Sequence, residues 1–255
     1  MEPQADFLKE AQRIVSTAKE KGLTLRSLGA AAFRLHCPAS TTLHIAMGRE
    51  LSDLDFAGYG KERGSLEGML ESVGYQAHAS ALVETQGLLQ DRAIFYDARN
   101  KRVLDVFFDR LEMCHTIEFS GRLEEDYPTI PLADLLLEKL QIIRLTMKDI
   151  KDTIILLLEH PIGSSDKETV NSHYIGRLMA EDWGFYYTAT TNLARIASAL
   201  ANTQQLTEDQ RGTVTSRIKE LTDAIEQYPK TFQWKMRARI GTKKKWYNEV
   251  EEVVR

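Results

Sequence analysis

The stretch Arg49-Glu50-Leu51-Ser52-Asp53-Leu54-Asp55-Phe56 decides how this chain reads. It holds two aspartates one residue apart, set among apolar Leu51, Leu54 and Phe56. In a strand, positions i and i+2 face the same way, so Asp53 and Asp55 aim at one point. Carboxylates that close repel unless positive charge stands between them. A hard divalent cation, Mg²⁺ or Mn²⁺, meets that need because it takes oxygen ligands from carboxylates and phosphates. The competing reading of an isolated Asp-x-Asp is a solvated strand end before the turn Gly58-Tyr59-Gly60.

Upstream, Phe7, Leu8, Ala11, Ile14, Val15 and Ala18 fall at helical spacing, which predicts an amphipathic helix over about 4–21 with Gly22 as its stop. Leu23 to Leu28 reads as a strand running into Gly29-Ala30-Ala31-Ala32-Phe33-Arg34, a tight turn that opens a helix ended by Pro38. The N–H groups at such a helix start favour phosphate, and an ordinary strand-to-helix turn is the alternative. Downstream, Arg49 to Ala57 is the Asp-x-Asp strand, Leu66 to Val73 a helix, and Tyr75 to Val83 a strand. A hairpin follows, from Arg92–Asp97 over Ala98-Arg99-Asn100-Lys101 into Arg102–Phe108. Asp105 lies inside its second arm between Leu104 and Val106. A carboxylate there is costly unless it binds a metal or pairs with a core arginine.

Glu118 to Leu123 reads as a last strand, and beyond Pro131 the pattern turns helical. Leu132 to Leu145 is a leucine-rich helix interrupted by Lys139; a second runs from Ile150 to Leu158, with Asp149 and Asp152 at its start. Ser165–Glu168 and Thr207–Gln210 both have the spacing of helix-opening capping boxes. The stretch Lys230 to Lys245 carries seven cations and no acid, interleaved with Phe232 and Trp234 and followed by Trp246 and Tyr247. It fits an RNA or DNA acceptor, a flap over a bound nucleotide, or a tail packed by its tryptophans. The expected organisation is an α/β domain over 1–128, with a mixed β-sheet flanked by helices, and an all-helical domain over 129–255.

With 255 residues, 43% hydrophobic, and a net charge of −4, the chain reads as a soluble globular protein without a global nucleic-acid signature. Cys37 and Cys114 belong to no CxxC pair and read as reduced thiols of a cytoplasmic protein. The acidic start lacks a signal-peptide pattern, and the apolar runs are too short for a membrane span. The histidines lack zinc spacing, and no Walker A, GxGxxG or GxSxG sequence is present.

Gly29-Ala30, Asp53-Leu54-Asp55 and Asp105 together resemble the DNA polymerase β-type nucleotidyltransferase superfamily. Its pattern is a glycine turn, an Asp-x-Asp shortly after, and a third acid among apolar residues. Within it, the chain looks most like the abortive-infection and toxin-type nucleotidyltransferases. They carry an Arg-x-x-(Ser/Thr)-Asp-hydrophobic-Asp strand, matched by Arg49 to Asp55, and a helical lysine followed by a Lys/Arg-Asp-x-x-Asp element, matched by Lys139, Lys148, Asp149 and Asp152. The resemblance spans about residues 20–160.

It implies the nucleotidyltransferase fold and a catalytic and metal-binding set of Asp53, Asp55 and Asp105. Gly29, Ala30, Arg49 and Lys139 would bind the nucleotide, and Asp149, Asp152, Lys148 and Arg144 are secondary candidates. The implied reaction moves a nucleoside monophosphate from an NTP, ATP included, to a hydroxyl on an RNA end, a protein or a small molecule, with Mg²⁺ or Mn²⁺ as cofactor. A toxin–antitoxin or regulatory interaction module that binds nucleotide without turnover is the alternative. Ala30 stands where the family often has serine, so this turn offers phosphate a backbone N–H and no hydroxyl.

Overall fold

The structure, a computed structural model, describes residues 2–77 and 91–250. The chain divides into two units: Met1–Pro38, Glu50–Leu111 and Glu118–Pro131 form the first, and Ala39–Arg49, Glu112–Ile117 and Leu132–Arg255 form the second. A single cut at residue 128 would place 39–49 and 112–117 with the first unit; by contacts they belong to the second.

The first unit is a five-stranded sheet in the order β1-β2-β5-β4-β3, built from β1 (Leu25–Leu28), β2 (Leu54–Gly58), β3 (Gln76–Ala77), β4 (Arg92–Asp97) and β5 (Arg102–Phe108). It is a mixed sheet: β2 and β5 run parallel, and the other pairs are antiparallel. It carries helices α1 (Phe7–Glu20), α2 (Gly29–His36) and, after the short α3 (Thr41–Ala46) of the second unit, α4 (Arg63–Ser72). Asp6 starts α1 by accepting the amides of Leu8 at 3.0 Å and Lys9 at 2.9 Å.

Alternation along the strands sorts the sheet into two faces. Leu54 and Phe56 of β2, Phe95 of β4, and Leu104, Val106 and Phe108 of β5 pack on Ile14 and Val15 of α1 and on Leu66 and Leu70 of α4. Each such fully buried side chain contributes about 1.5–3 kcal/mol. The opposite phase of the same strands places Asp55 and Asp105 on the other face. At the β1 edge, residues 128–130 are strapped on: Ser27 N–H donates to Pro128 O and Ile130 N–H to Ser27 O, both at 3.0 Å.

The second unit is mainly helical: α3, α5 (Leu132–Leu140), α6 (Met147–Glu159), α7 (Ser172–Glu181), α8 (Trp183–Leu200), α9 (Glu208–Gln227) and α10 (Phe232–Ile240). α9 buries Val214, Ile218, Leu221 and Ile225, a one-face helical stripe, against α6, α7 and α8. Among the described residues, no helix is long and apolar enough to cross a membrane.

Several expectations change. β2 begins at Leu54, so Asp53 immediately precedes the strand rather than lying within it. The strand expected over Glu118–Leu123 lies instead at Thr116–Glu118, and the helix expected to reach Leu145 ends at Leu140. Of the strand expected over 75–83, Gln76–Ala77 pairs with β4, and 78–83 lies outside the described residues. Ser165–Glu168 opens no helix: Glu168 takes a left-handed φ of 58°, and α7 starts only at Ser172, capped by Asn171. The Thr207–Gln210 capping box does open α9.

Candidate functional site

The first unit brings three expected residues to one place through its backbone. β2 and β5 run parallel in a register that sets Asp55 opposite Asp105, and β1 sets Leu28 opposite Asp55. Adjacent strands lie about 4.8 Å apart, so the two aspartates are direct neighbours on one face of the sheet. Asp53 stands at the mouth of β2, its Oδ1 accepting the Ser52 hydroxyl at 3.1 Å. Asp53 and Asp55 are half-buried, whereas Asp105 is 0% exposed.

Gly29 follows Leu28 at the start of α2, and its φ is +66°. A Cβ there would lie 2.3 Å from Asp55 Oδ2, so both the backbone and the close approach of the carboxylate require glycine. The N-cap residue Leu28 supplies no side-chain hydrogen bond, which leaves the capping of the first α2 amides to other groups. The expected turn, the Asp-x-Asp and the third acid are thus gathered on one corner of the sheet.

Asp105 pairs with an arginine, the alternative to a metal that the sequence left open without saying which arginine. Arg92 of β4 donates from Nη2 to Asp105 Oδ2 at 2.7 Å, with its guanidinium carbon 5.1 Å from the centre of the Phe107 ring. The signal was present in the hairpin: Ile94 pairs with Asp105 and Arg92 with Phe107, so Arg92 is diagonal to Asp105 on the same face.

In donor type the set suits a hard divalent cation, being three carboxylates and no thiol or imidazole, although the three do not offer oxygens within 4.8 Å of one another in this structure. The cradle at Gly29 fits as well, since it brings Asp55 against a helix start that any side chain would block. Asp53, Asp55 and Asp105 are the residues that would hold such an ion.

Of the remaining expected residues, Arg49, Lys139, Asp149 and Asp152 sit in the second unit and form their own ionic cluster. Arg49 donates to both oxygens of Asp152, from Nε at 2.8 Å and from Nη2 at 2.9 Å. Lys139 Nζ lies 2.9 Å from Glu138, 3.6 Å from Asp152 and 3.7 Å from Asp149. Burial works to lower the Lys139 pKa, but Glu138, Asp152 and Asp149 outweigh it and raise it above the ordinary lysine value. Asp149 also closes the Thr146 capping box that opens α6, accepting the Thr146 amide at 3.0 Å. Arg144 and Lys148 are exposed.

In the basic C-terminal stretch the tryptophan rings are engaged in packing, whereas Phe232 is 76% exposed. Trp234 meets Tyr186 edge-on at 5.1 Å, and Trp246 meets Tyr187 at 5.2 Å. The Trp246 indole N–H donates to Thr188 Oγ1 at 3.1 Å. Arg237 lies over Trp183 at 4.6 Å and donates to the backbone oxygens of Gly241 and Lys244. Lys235, Arg239, Lys243 and Lys244 remain exposed.

No protein-family model matches this chain. No curated protein matches it either. Among solved structures it is similar to the antibiotic-resistance factor ANT(2'')-Ia, whose solution structure reveals substrate-regulated conformation dynamics. The identity is 16%, the match covers 68% of this chain and 92% of that chain, and the TM-score is 0.41. A likeness of that size transfers neither a residue nor an activity.

Proposed function

We propose that the first unit binds a metal–nucleotide complex and that the protein is a nucleotidyltransferase, moving a nucleoside monophosphate from an NTP to an acceptor hydroxyl with release of pyrophosphate. The observation that carries this reading is the Asp55–Asp105 register with Gly29 seated against Asp55. Asp53, Asp55 and Asp105 would hold the divalent ion that accompanies the triphosphate, and the Gly29 and Ala30 amides at the start of α2 would offer donors to phosphate. Asp105 orients the attacking hydroxyl and takes up its proton. When bound, Mg²⁺ supplies charge neutralisation on the phosphates. A phosphate role for Arg49 and Lys139 rests on the family resemblance, and it requires them to exchange their present contacts with Asp152, Glu138 and Asp149.

The test is equilibrium binding of the four NTPs with and without Mg²⁺, for wild type and the Asp53→Ala, Asp55→Ala double variant. Binding that needs both metal and aspartates is the expected result. Folded wild-type protein that binds no NTP, or binds equally well without metal, would end the reading. One observation favours a second reading, a nucleotide-binding regulatory or toxin–antitoxin module without turnover: Asp105 is engaged by Arg92. Metal-dependent NTP binding that never yields pyrophosphate across RNA, protein and small-molecule acceptors would select it.

A further inference from the structure

Arg92 pairs with Asp105 in a way that differs from the buried Arg49–Asp152 pair. Asp105 is wholly buried, yet Arg92 is 21% exposed and so keeps a route to solvent. It reaches the carboxylate through Nη2 alone, and its Nε is buried without a hydrogen-bond partner. The Arg49–Asp152 pair shows the contrast: two parallel bonds, with both side chains under a tenth exposed. A bidentate, enclosed pair is hard to exchange. A one-point pair with an accessible, incompletely bonded guanidinium is not.

The place it occupies matters. Arg92 stands diagonal to Asp105 on the face of the sheet that carries Asp55, with Asp55 itself opposite Asp105. A guanidinium beside a carboxylate that is to ligate a cation does two things. It takes up an oxygen lone pair, and it adds like charge to whatever cation arrives.

We infer that Arg92 is a positioning residue that acts through Asp105: a built-in counter-cation that neutralises this carboxylate in the metal-free protein and is displaced from it when a divalent cation binds. Arg92 thereby weakens metal binding and keeps Asp105 buried without an uncompensated charge. This inference rests on the metal–nucleotide reading of the same face.

The experiment is Mn²⁺ binding to the nucleotide-free full chain, followed by the paramagnetic resonance of free Mn²⁺ and by the Mn²⁺-induced rise in Tm. Wild type is compared with Arg92→Ala, Arg92→Gln, Arg92→Gln with Asp105→Asn, and Asp53→Asn with Asp55→Asn. Arg92→Gln keeps a polar group beside Asp105 should Arg92→Ala fail to fold. The expected result is Mn²⁺ affinity about tenfold or more above wild type in the Arg92 variants, with a larger rise in Tm. Adding Asp105→Asn cancels the gain. Wild-type binding that depends on Asp53 and Asp55 but is exceeded by no Arg92 variant overturns this inference alone. A gain that survives Asp105→Asn overturns it too. Absence of Mn²⁺ binding in every folded variant overturns it together with the metal reading.

Discussion

The two faces of the first unit's sheet hold charge differently. On the helix-covered face, acids meet bases: Asp97 accepts from Arg102 at 3.0 Å, and Glu10 accepts from Arg13 at 2.6 Å. Arg102 Nη2 also donates to the Gln4 carbonyl, and the Tyr75 hydroxyl donates to Glu10. On the other face acids gather: Asp55 stands opposite Asp105 with Asp53 just ahead, and Arg92 bonds Asp105 at 2.7 Å. The first arrangement holds α1 and the N-terminal segment to the sheet. The second gathers the acids proposed above as a cation site. The same β5 carries both, in Arg102 and Asp105, and period-2 alternation aims them apart.

The largest expected effect tests the closed face. Arg102→Met leaves Asp97 buried without its cation and should cost about 3–5 kcal/mol in chemical denaturation. A loss under about 1 kcal/mol would erase the distinction between the faces. The same network predicts an acid limb. Burial works to raise the Glu10 pKa, but hydrogen bonds from Arg13, the Gln4 amide and Tyr75 prevail and hold it below the usual 4.5. The unfolded chain therefore binds this proton first as pH falls, so the stabilisation is complete above 4.5 and is lost below it. In Glu10→Gln the slope of stability against pH should flatten in that window.

A smaller effect is expected at the join between β1 and α2. Gly29→Ala puts a Cβ onto Asp55 at a left-handed φ, costing about 1–2 kcal/mol from the backbone alone. It should also weaken Mg²⁺-dependent NTP binding by displacing the carboxylate; unchanged binding would show that Asp55 is not held there for a ligand. The smallest effect has the opposite sign. Asp55→Asn removes like charge beside Asp105 and should stabilise the metal-free protein by about 0.5–1 kcal/mol while abolishing metal-dependent NTP binding. Destabilisation measured by thermal unfolding would place Asp55 among the structural acids instead.

Much of this was legible because it is local. The periodicity of α1, the hairpin of β4 and β5, and the Thr207 capping box each lie within one short window. Gly29, Asp55 and Asp105 were legible as residue types out of place. Their adjacency required the β1–β2 and β2–β5 register, which no single window contains. Arg92 was missed for a related reason, because its partner depends on the pairing fixed by the 98–101 turn. The Arg49–Asp152 pair joins positions 103 apart, beyond the reach of any local pattern. Ser165–Glu168 shows the reverse error: the spacing of a capping box was present, but the left-handed Glu168 turns the backbone away from a helix.

The strap of residues 128–130 along β1 bears on how this protein meets other chains. An exposed strand edge is a row of unused donors and acceptors that recruits neighbours, ending in fibres or exchanged strands. Here Ser27 spends its amide and its carbonyl on the strap, and the residue laid alongside, Thr129, is itself buried. The β1 side of the sheet is therefore closed to further growth, and a protein concentrated in a crowded solution is guarded there against templating its own aggregation.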